Sequence, residues 1–268
     1  MLAAQRRSKI LAELDRGGTV RVTDLVDLLG VSDMTVRRDL VSLHREGLLE
    51  KVHGGALAVA EPSSLEPGFA AKSAQRLREK EAIAARAAQL VHPGMAIAVS
   101  AGTTTHALTA HLTKIPRLTV VTNSVWVADV LHRVGDSTTS VLLTGGFRTP
   151  SDALVGPVAV SSLRSLHVDA FFMGVHGMDV RAGFSTPNLL ESETNRAMIE
   201  RSRRLIVCAD STKWGVVGLS SMATLDEASV LVTDSGISAR ASGVLADHVG
   251  ELVLVNAEDG SRTSTGDS

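Results

Sequence analysis

Tyrosine is absent from these 268 residues, aromatic side chains amount to 3%, and there is a single cysteine, Cys208. The shortage of aromatics excludes the stacking platforms used by most single-strand nucleic-acid binders. One cysteine excludes a disulfide framework and a clustered thiolate metal site, and Cys208, inside the apolar run LIVCAD, is expected to be a buried strand residue. No sign of charge dominates: 27 Lys and Arg stand against 29 Asp and Glu, a net charge of -2. That balance excludes a uniformly basic coat, so any contact with a polyanion must come from a local patch. The opening segment, MLAAQRRSKILAELDRG, lacks the unbroken apolar core of a signal peptide or a membrane span, so a cytoplasmic protein with no membrane contact is expected.

What is present falls into two regions. Over 3–16, Ile10, Leu11 and Leu14 share one helical face, and Gly17-Gly18 ends it. A second short helix is expected over 23–29, capped by Thr23 and stopped at Gly30, and a third from Ser32 as cap to about Glu46, with Asp33 in its first turn. Two short extended pieces, 48–52 and 56–59, flank His53-Gly54-Gly55 as a hairpin or wing. These features define a small domain over 1–59. Pro62, Ser63, Ser64, Pro67 and Gly68 then loosen the chain, giving a linker over 60–73. Across 74–256 the pattern changes to short apolar runs, MAIAVS, LTVVTN, SVLLTGG, VDAFFMG, RLIVCAD, SVLVTD and ELVLVN, separated by helical stretches. They have little alternation and almost no internal charge, as expected of strands buried on both faces of a mainly parallel α/β sheet. The polar, Gly/Ser-rich 257–268 is expected to be a disordered tail.

The stretch VSDMTVRRDLVSLHREG, residues 31–47, carries the sharper functional signal. On a helical wheel Leu40 and Leu43 fall within about 40° of Val36, forming a buried stripe, while Arg38 and Arg45 lie nearly opposite with Met34, Val41 and Ser42. A short helix joined through Gly30, Val31 and Ser32 to this one matches a helix-turn-helix, whose second member enters the major groove. Guanidinium groups bind guanine or phosphate two-pronged. Two readings stand side by side: Arg37 and Arg38 face DNA, or Arg37 pairs with Asp33 while Arg38 merely solvates the helix.

In the larger region, SAGTTTHAL follows a strand and opens a helix, offering backbone amides and hydroxyls to an anion, or simply a helix start with capping threonines. Thr122-Asn123-Ser124, Thr144-Gly145-Gly146 and Asp210-Ser211-Thr212-Lys213 close other strands. The carboxyl edge of such a sheet is where ligands bind, and converging hydroxyls, amides and one cation suit a phosphorylated polyol or sugar. The alternative for Lys213 is a surface residue beside Trp214.

These motifs identify a resemblance to the DeoR family of bacterial transcriptional regulators. Residues 6–56 resemble its amino-terminal region through Val31, Ser32, Thr35, Arg37, Arg38, Asp39, Leu40, Leu43, Gly47, Leu48, His53, Gly54 and Gly55. Residues 74–256 resemble its effector-sensing domain through AGTTT, VVTNS, LLTGG, VDAFFMGVHGM, GFSTPNLLESETNRAMI and DSTKWG. The resemblance implies a winged helix-turn-helix joined to a sensor domain like ribose-5-phosphate isomerase in fold. It also implies a repressor of carbohydrate-metabolism genes that binds a double-stranded operator and responds to a phosphorylated sugar or related metabolite. The expected DNA-contacting set is Ser32, Met34, Thr35, Arg37, Arg38, Ser42, Arg45 and His53, with Arg38 nearest the bases and Arg37 and Arg45 leaning toward phosphate. Carried over residue by residue, the effector-binding set is Gly102, Thr103, Thr104, Asn123, Ser124, Gly145, Gly146, Asp169 and Lys213. Ser100 stands where many members carry Asp, and His176 where an acidic or small residue is common, so the effector does not transfer from those relatives. No cofactor, metal or catalytic residue is expected. The competing reading is a sugar-phosphate isomerase-like enzyme with a DNA-binding domain attached, for which Asp169, Asp179, Glu191, Glu193, Asp210 and Lys213 are candidate acids and bases. One recognition helix per chain predicts a homodimer or higher homo-oligomer.

Overall fold

Residues 2–57, 64, 68–135 and 137–257 are described by a computed structural model, in which the chain separates into two units, Met1–Pro62 and Ser63–Ser268. The first unit runs α1 (Ala3–Gly17), β1 (Thr19–Arg21), α2 (Val22–Leu29), α3 (Asp33–Arg45), β2 (Glu50–Val52) and β3 (Gly55–Leu57). Ile10, Leu14, Val22, Leu25, Leu29, Val36, Leu40, Leu43, Leu49 and Ala56 form its core. The stripe expected on α3 is therefore the face that packs.

Two local expectations are corrected. Thr23 does not cap α2, which starts at Val22 behind Arg21, and Thr23 Oγ1 donates instead to Asp24 Oδ1 at 3.1 Å. The cause is the unforeseen β1: it pairs antiparallel with β3, and the Val22 amide donates to the Gly54 carbonyl at 2.9 Å, so α2 begins directly off a strand. The wing thus has three strands, in the order β1-β3-β2. Both glycines of His53-Gly54-Gly55 are required by backbone geometry. Gly54 turns with φ +84°, and a Cβ on Gly55 would lie 2.0 Å from the Val20 carbonyl oxygen.

In the second unit α4 (Phe69–Ser73) and α5 (Leu77–Ala88) lead into β4 (Ala96–Val99), α6 (Thr103–Leu112), β5 (Thr119–Thr122), α7 (Val125–Val134) and β6 (Ser140–Leu143). A hairpin of β7 (Phe147–Arg148) and β8 (Leu154–Val155) follows, then α8 (Pro157–Leu163), β9 (Ala170–Gly174), β10 (Gly177–Asp179), β11 (Gly183–Thr186) and α9 (Leu189–Glu200). β12 (Leu205–Cys208), β13 (Ser220–Ala223), β14 (Val230–Asp234), α10 (Ala239–His248) and β15 (Leu252–Val255) complete it. Seven strands form a parallel sheet in the order β15-β14-β12-β9-β4-β5-β6. Its central strands are buried on both sides: Ile97, Val99, Phe172, Ile206 and Cys208 pack into one layer, and Ala98, Phe171, Met173, Leu205 and Val207 into the other. This is the physical origin of the uncharged runs in the sequence.

Beside it lies a smaller antiparallel sheet, β10-β11-β13, which the sequence did not announce. Its strands GMD, GFST and SSMA are short and poor in β-branched residues. The linker expected over 60–73 is corrected at its far end, since 69–73 are helical. Phe69 stacks on Trp126 at 5.6 Å between ring centroids and meets His106 edge-on at 5.5 Å, and this aromatic docking outweighs the neighbouring Pro67 and Gly68. The rest of that linker, apart from Ser64 and Gly68, lies outside the described residues, as do 258–268 of the expected tail.

Candidate functional site

On α3 the chain sorts charge by face. Ser32 caps the helix, accepting from the Thr35 amide at 3.4 Å and lying 3.0 Å from Thr35 Oγ1. Met34 is 70% exposed, and Arg38 and Arg45 are exposed with no hydrogen bond or ion pair to any described residue. Arg37 is also exposed but committed: its Nη2 donates to Asp33 Oδ2 at 3.1 Å and its Nε to Oδ1. The hydrogen bonds between them hold the Asp33 carboxyl below the usual carboxylate range and raise the Arg37 guanidinium. Ser42 Oγ donates to Glu46 at 3.0 Å, and His53 sits exposed in the turn between β2 and β3. Ser32, Met34, Thr35, Arg37, Arg38, Ser42 and Arg45 thus share one helix and its cap, while His53 belongs to the wing.

Asp39 behaves unlike its neighbours. It is 3% exposed and takes a two-pronged pair from Arg6, Nε to Oδ2 at 2.7 Å and Nη2 to Oδ1 at 3.3 Å, with Arg7 Nε at 3.7 Å. This carboxylate ties α3 to α1 and points away from the exposed arginines.

In the second unit a polar pocket opens at the carboxyl ends of β4, β9 and β12. Ala101 to Thr104 supply the start of α6, Gly174 to His176 the turn after β9, and Asp210, Thr212 and Lys213 the turn after β12. Thr186, Pro187 and Glu191 close one side, and Phe69, Lys72, Gln75, Arg76 and Lys80 another. The first turn of α6 has no side-chain cap, with Gly102 in its cap position at φ 147°, so its amides are available to an anion. Asp210 is buried and accepts from the Thr212 amide at 3.1 Å and from the Thr212 hydroxyl. Glu191 Oε2 accepts from Thr186 Oγ1 at 2.9 Å. Arg76, at φ 54°, reaches Glu79 at 3.2 Å, Ser211 Oγ at 3.4 Å and Asp234 at 3.7 Å. Lys80 is 5% exposed, and its Nζ donates to the Lys72 carbonyl at 2.6 Å. Burial pushes its ammonium below the ordinary lysine range, with the Asp210 charge opposing.

Gly102, Thr103, Thr104 and Lys213 line this pocket together; Asn123, Ser124, Gly145, Gly146 and Asp169 do not. Asn123 is buried, and its Oδ1 accepts from the Ala101 amide at 2.9 Å, so it supports the turn from behind. Ser124 caps α7 through the Val127 amide at 3.3 Å. Gly146, at φ +117°, lies so close to β8 that a Cβ would stand 2.4 Å from the Val155 carbonyl oxygen, and Gly145 makes the preceding left-handed step at φ +72°. Asp169 is corrected most plainly. It precedes β9 and accepts from the Ala96 amide at 3.0 Å, at the amino edge of the sheet, roughly 17 Å of strand from Gly174. Ser100 is turned inward as well, its Oγ accepting from the Gly174 amide at 2.9 Å.

Sequence reasoning missed Lys72, Arg76 and Lys80. Their four-residue spacing was visible, but the prolines and glycine nearby made the stretch look like a connector. Among the described residues no group of three or more His, Cys, Asp and Glu side chains is arranged to hold a metal ion. None of their helices is long and apolar enough to cross a membrane.

Residues 6–61 match the model of the DeoR-like helix-turn-helix domain, and residues 75–235 that of the DeoR C terminal sensor domain. An uncharacterized HTH-type transcriptional regulator of Bacillus subtilis, YulB, is 37% identical over 248 residues, 92% of this chain and 95% of that one. The lactose phosphotransferase system repressor of Streptococcus mutans is 32% identical over 238 residues, 87% of this chain and 93% of that one. Among solved structures, ribose 5-phosphate isomerase from Plasmodium falciparum is 15% identical, covering 52% of this chain and 54% of its own at a TM-score of 0.38. With both halves matched in order and relatives aligned over nearly their whole length, the chain belongs to the DeoR family of DNA-binding transcriptional regulators, with a carboxyl-terminal sensor domain.

Proposed function

We propose that this chain represses genes of carbohydrate metabolism, binding a double-stranded operator through α3 and the wing, and that a phosphorylated sugar in the pocket weakens or alters that binding. The observation that carries the reading is the convergence of an uncapped helix start, Gly102 to Thr104, with the cations Lys72, Arg76, Lys80 and Lys213 in one pocket. Helix-start amides and cations together suit a phosphate, and neighbouring hydroxyls and carboxylates suit a polyol. The Streptococcus mutans relative is named as the repressor of a sugar phosphotransferase system, which favours the same effector class. Within the DNA-contacting set, Arg38 and Arg45 carry the recognition, since Arg37 is already paired with Asp33.

The second unit is taken to be an isomerase-like scaffold that binds without turnover. In support, Glu191 and Asp210 already accept hydrogen bonds from Thr186 and Thr212, an arrangement that holds them in place beside a ligand. We take the working form to be a cytoplasmic homodimer or higher homo-oligomer, because two half-sites need two recognition helices. A mobility-shift assay on the promoter beside the gene, with and without a panel of sugar phosphates, tests the reading. A retarded band that at least one phosphosugar releases is expected; a band that none affects would remove the effector from the proposal. Isomer formation from the same panel would favour the enzyme.

A further inference from the structure

We propose that Lys80 is the principal ligand of the anion in this pocket, through the ammonium donors that it does not spend on the Lys72 carbonyl, so that one group holds both the anion and α4. The inference rests on the phosphorylated-effector reading and goes further, naming the residue that senses the charge and the element that responds.

A lysine ammonium has three donors and no acceptor. Buried Lys80 spends one of them on Lys72, its only hydrogen-bond partner among the described residues. Asp210, the carboxylate that acts on it most strongly, has its Oδ1 engaged by the Thr212 amide and hydroxyl. A buried cation that is incompletely paired is costly, and an anion entering beside it meets a donor that has already lost its water. Lys213 and Lys72 line the same pocket but are less buried, and Arg76 is turned to Glu79 and Asp234. Depth and unused donors together favour Lys80.

The response follows from where Lys80 sits. α5 is anchored, with Ile83, Ala84, Ala87 and Ala88 in the core. α4 has only five residues and is held by the Phe69 ring against Trp126 and His106 and by Lys80 on the carbonyl near its end, where the Gln75 amide also donates at 3.2 Å. Phe69 lies a few residues after the point where the chain leaves the first unit. An anion on the remaining donors fixes Nζ where it also holds the Lys72 carbonyl, and so tightens a tie on the element through which the covalent chain arrives.

The test uses the full chain, titrated calorimetrically with inorganic phosphate and with individual sugar phosphates, in wild-type form and as Lys80→Met, Lys80→Arg and Lys213→Met. Lys80→Met is expected to weaken phosphate binding roughly ten- to a hundredfold, the loss of one charge-assisted hydrogen bond, with Lys80→Arg recovering part of it. Binding by Lys80→Met within threefold of wild type, with Lys213→Met abolishing it, would overturn the Lys80 assignment and leave the effector reading standing. No binding by wild type to any member would remove both. Deuterium exchange of peptides across 68–76 should slow when phosphate saturates the wild type and be fast in Lys80→Met with or without phosphate. Unchanged exchange in the wild type would overturn the linkage to α4, and that measurement stands even if Lys80→Met does not fold.

Discussion

Asp33 and Arg37, one helical turn apart at the start of α3, hold each other in a two-pronged ion pair, while Arg38 beside them is left with no partner among the described residues. The adjacent arginines therefore differ in what each has to give up before it reaches DNA. Arg38→Ala should lower operator affinity about ten- to a hundredfold, the ~1–3 kcal/mol of a base-directed arginine, and narrow the ratio of operator to random-DNA binding. Arg37→Ala should weaken both DNAs about equally. Fluorescence anisotropy at fixed salt decides, and an unchanged ratio for Arg38→Ala would reverse the roles. Because the folded Asp33 carboxyl is shifted down, its pairing is complete above the unfolded value of 3.8 and fades only as pH falls through the lower folded value. The Arg37→Ala penalty should then be the same at pH 6 and pH 8.

Asp39 and Arg6 are the reverse case, a pair turned inward. Asp39→Ala leaves the Arg6 guanidinium half-buried without its carboxylate, a loss of about 3–5 kcal/mol for a broken buried pair. Chemical denaturation followed by helical circular dichroism should show it. Adding Arg6→Met to Asp39→Ala should restore part of the loss, because the largely buried guanidinium that faced Asp39 goes with it. A double variant no better than the single one would mean that the pair is not what holds α1 to α3.

Asn123 acts on the pocket without lining it. Asn123→Ala removes the acceptor of the Ala101 amide and should cost about 1–3 kcal/mol of stability for a buried donor left unpaired. Phosphate affinity should fall alongside, since the turn from Ala101 to Thr104 loses its support. Full affinity in a destabilised variant would separate the turn from the ligand.

Cys208 is sealed between sheet and helices, and burial pushes its thiol up to about 12. Native protein should not react with a disulfide reagent at pH 8, and denaturant should release one thiol equivalent per chain. A raised thiol pKa stabilises the fold fully below the unfolded value of 9.0, and that contribution is lost as pH climbs from there toward 12. Cys208→Ala should flatten this alkaline decline in melting temperature, and an unchanged slope would place its origin elsewhere.

Features that depend on near neighbours in the chain were legible beforehand. The Val36, Leu40, Leu43 stripe follows from helical periodicity, and the buried parallel strands from their uncharged runs. Arg6 and Asp39 are 33 positions apart, so no local pattern could pair them. β10, β11 and β13 gain strand geometry from packing on one another rather than from strand-forming residues. Asp169 stands before the apolar run AFFMG, and that order alone puts it at the amino end of a strand whose ligand edge is its carboxyl end. α4 was hidden because its order comes from Trp126 and His106, both far along the chain.

The way α3 divides its residues has a consequence for retargeting. Val36, Asp39, Leu40 and Leu43 hold the helix in place, whereas Met34, Arg38 and Arg45 contribute to no core cluster and no described ion pair. Substitutions confined to exposed positions of this kind usually change stability by no more than about 0.5 kcal/mol. A library randomised at Met34, Arg38 and Arg45 could therefore be selected against new operators with folding almost constant, so that differences among its members would report DNA preference itself.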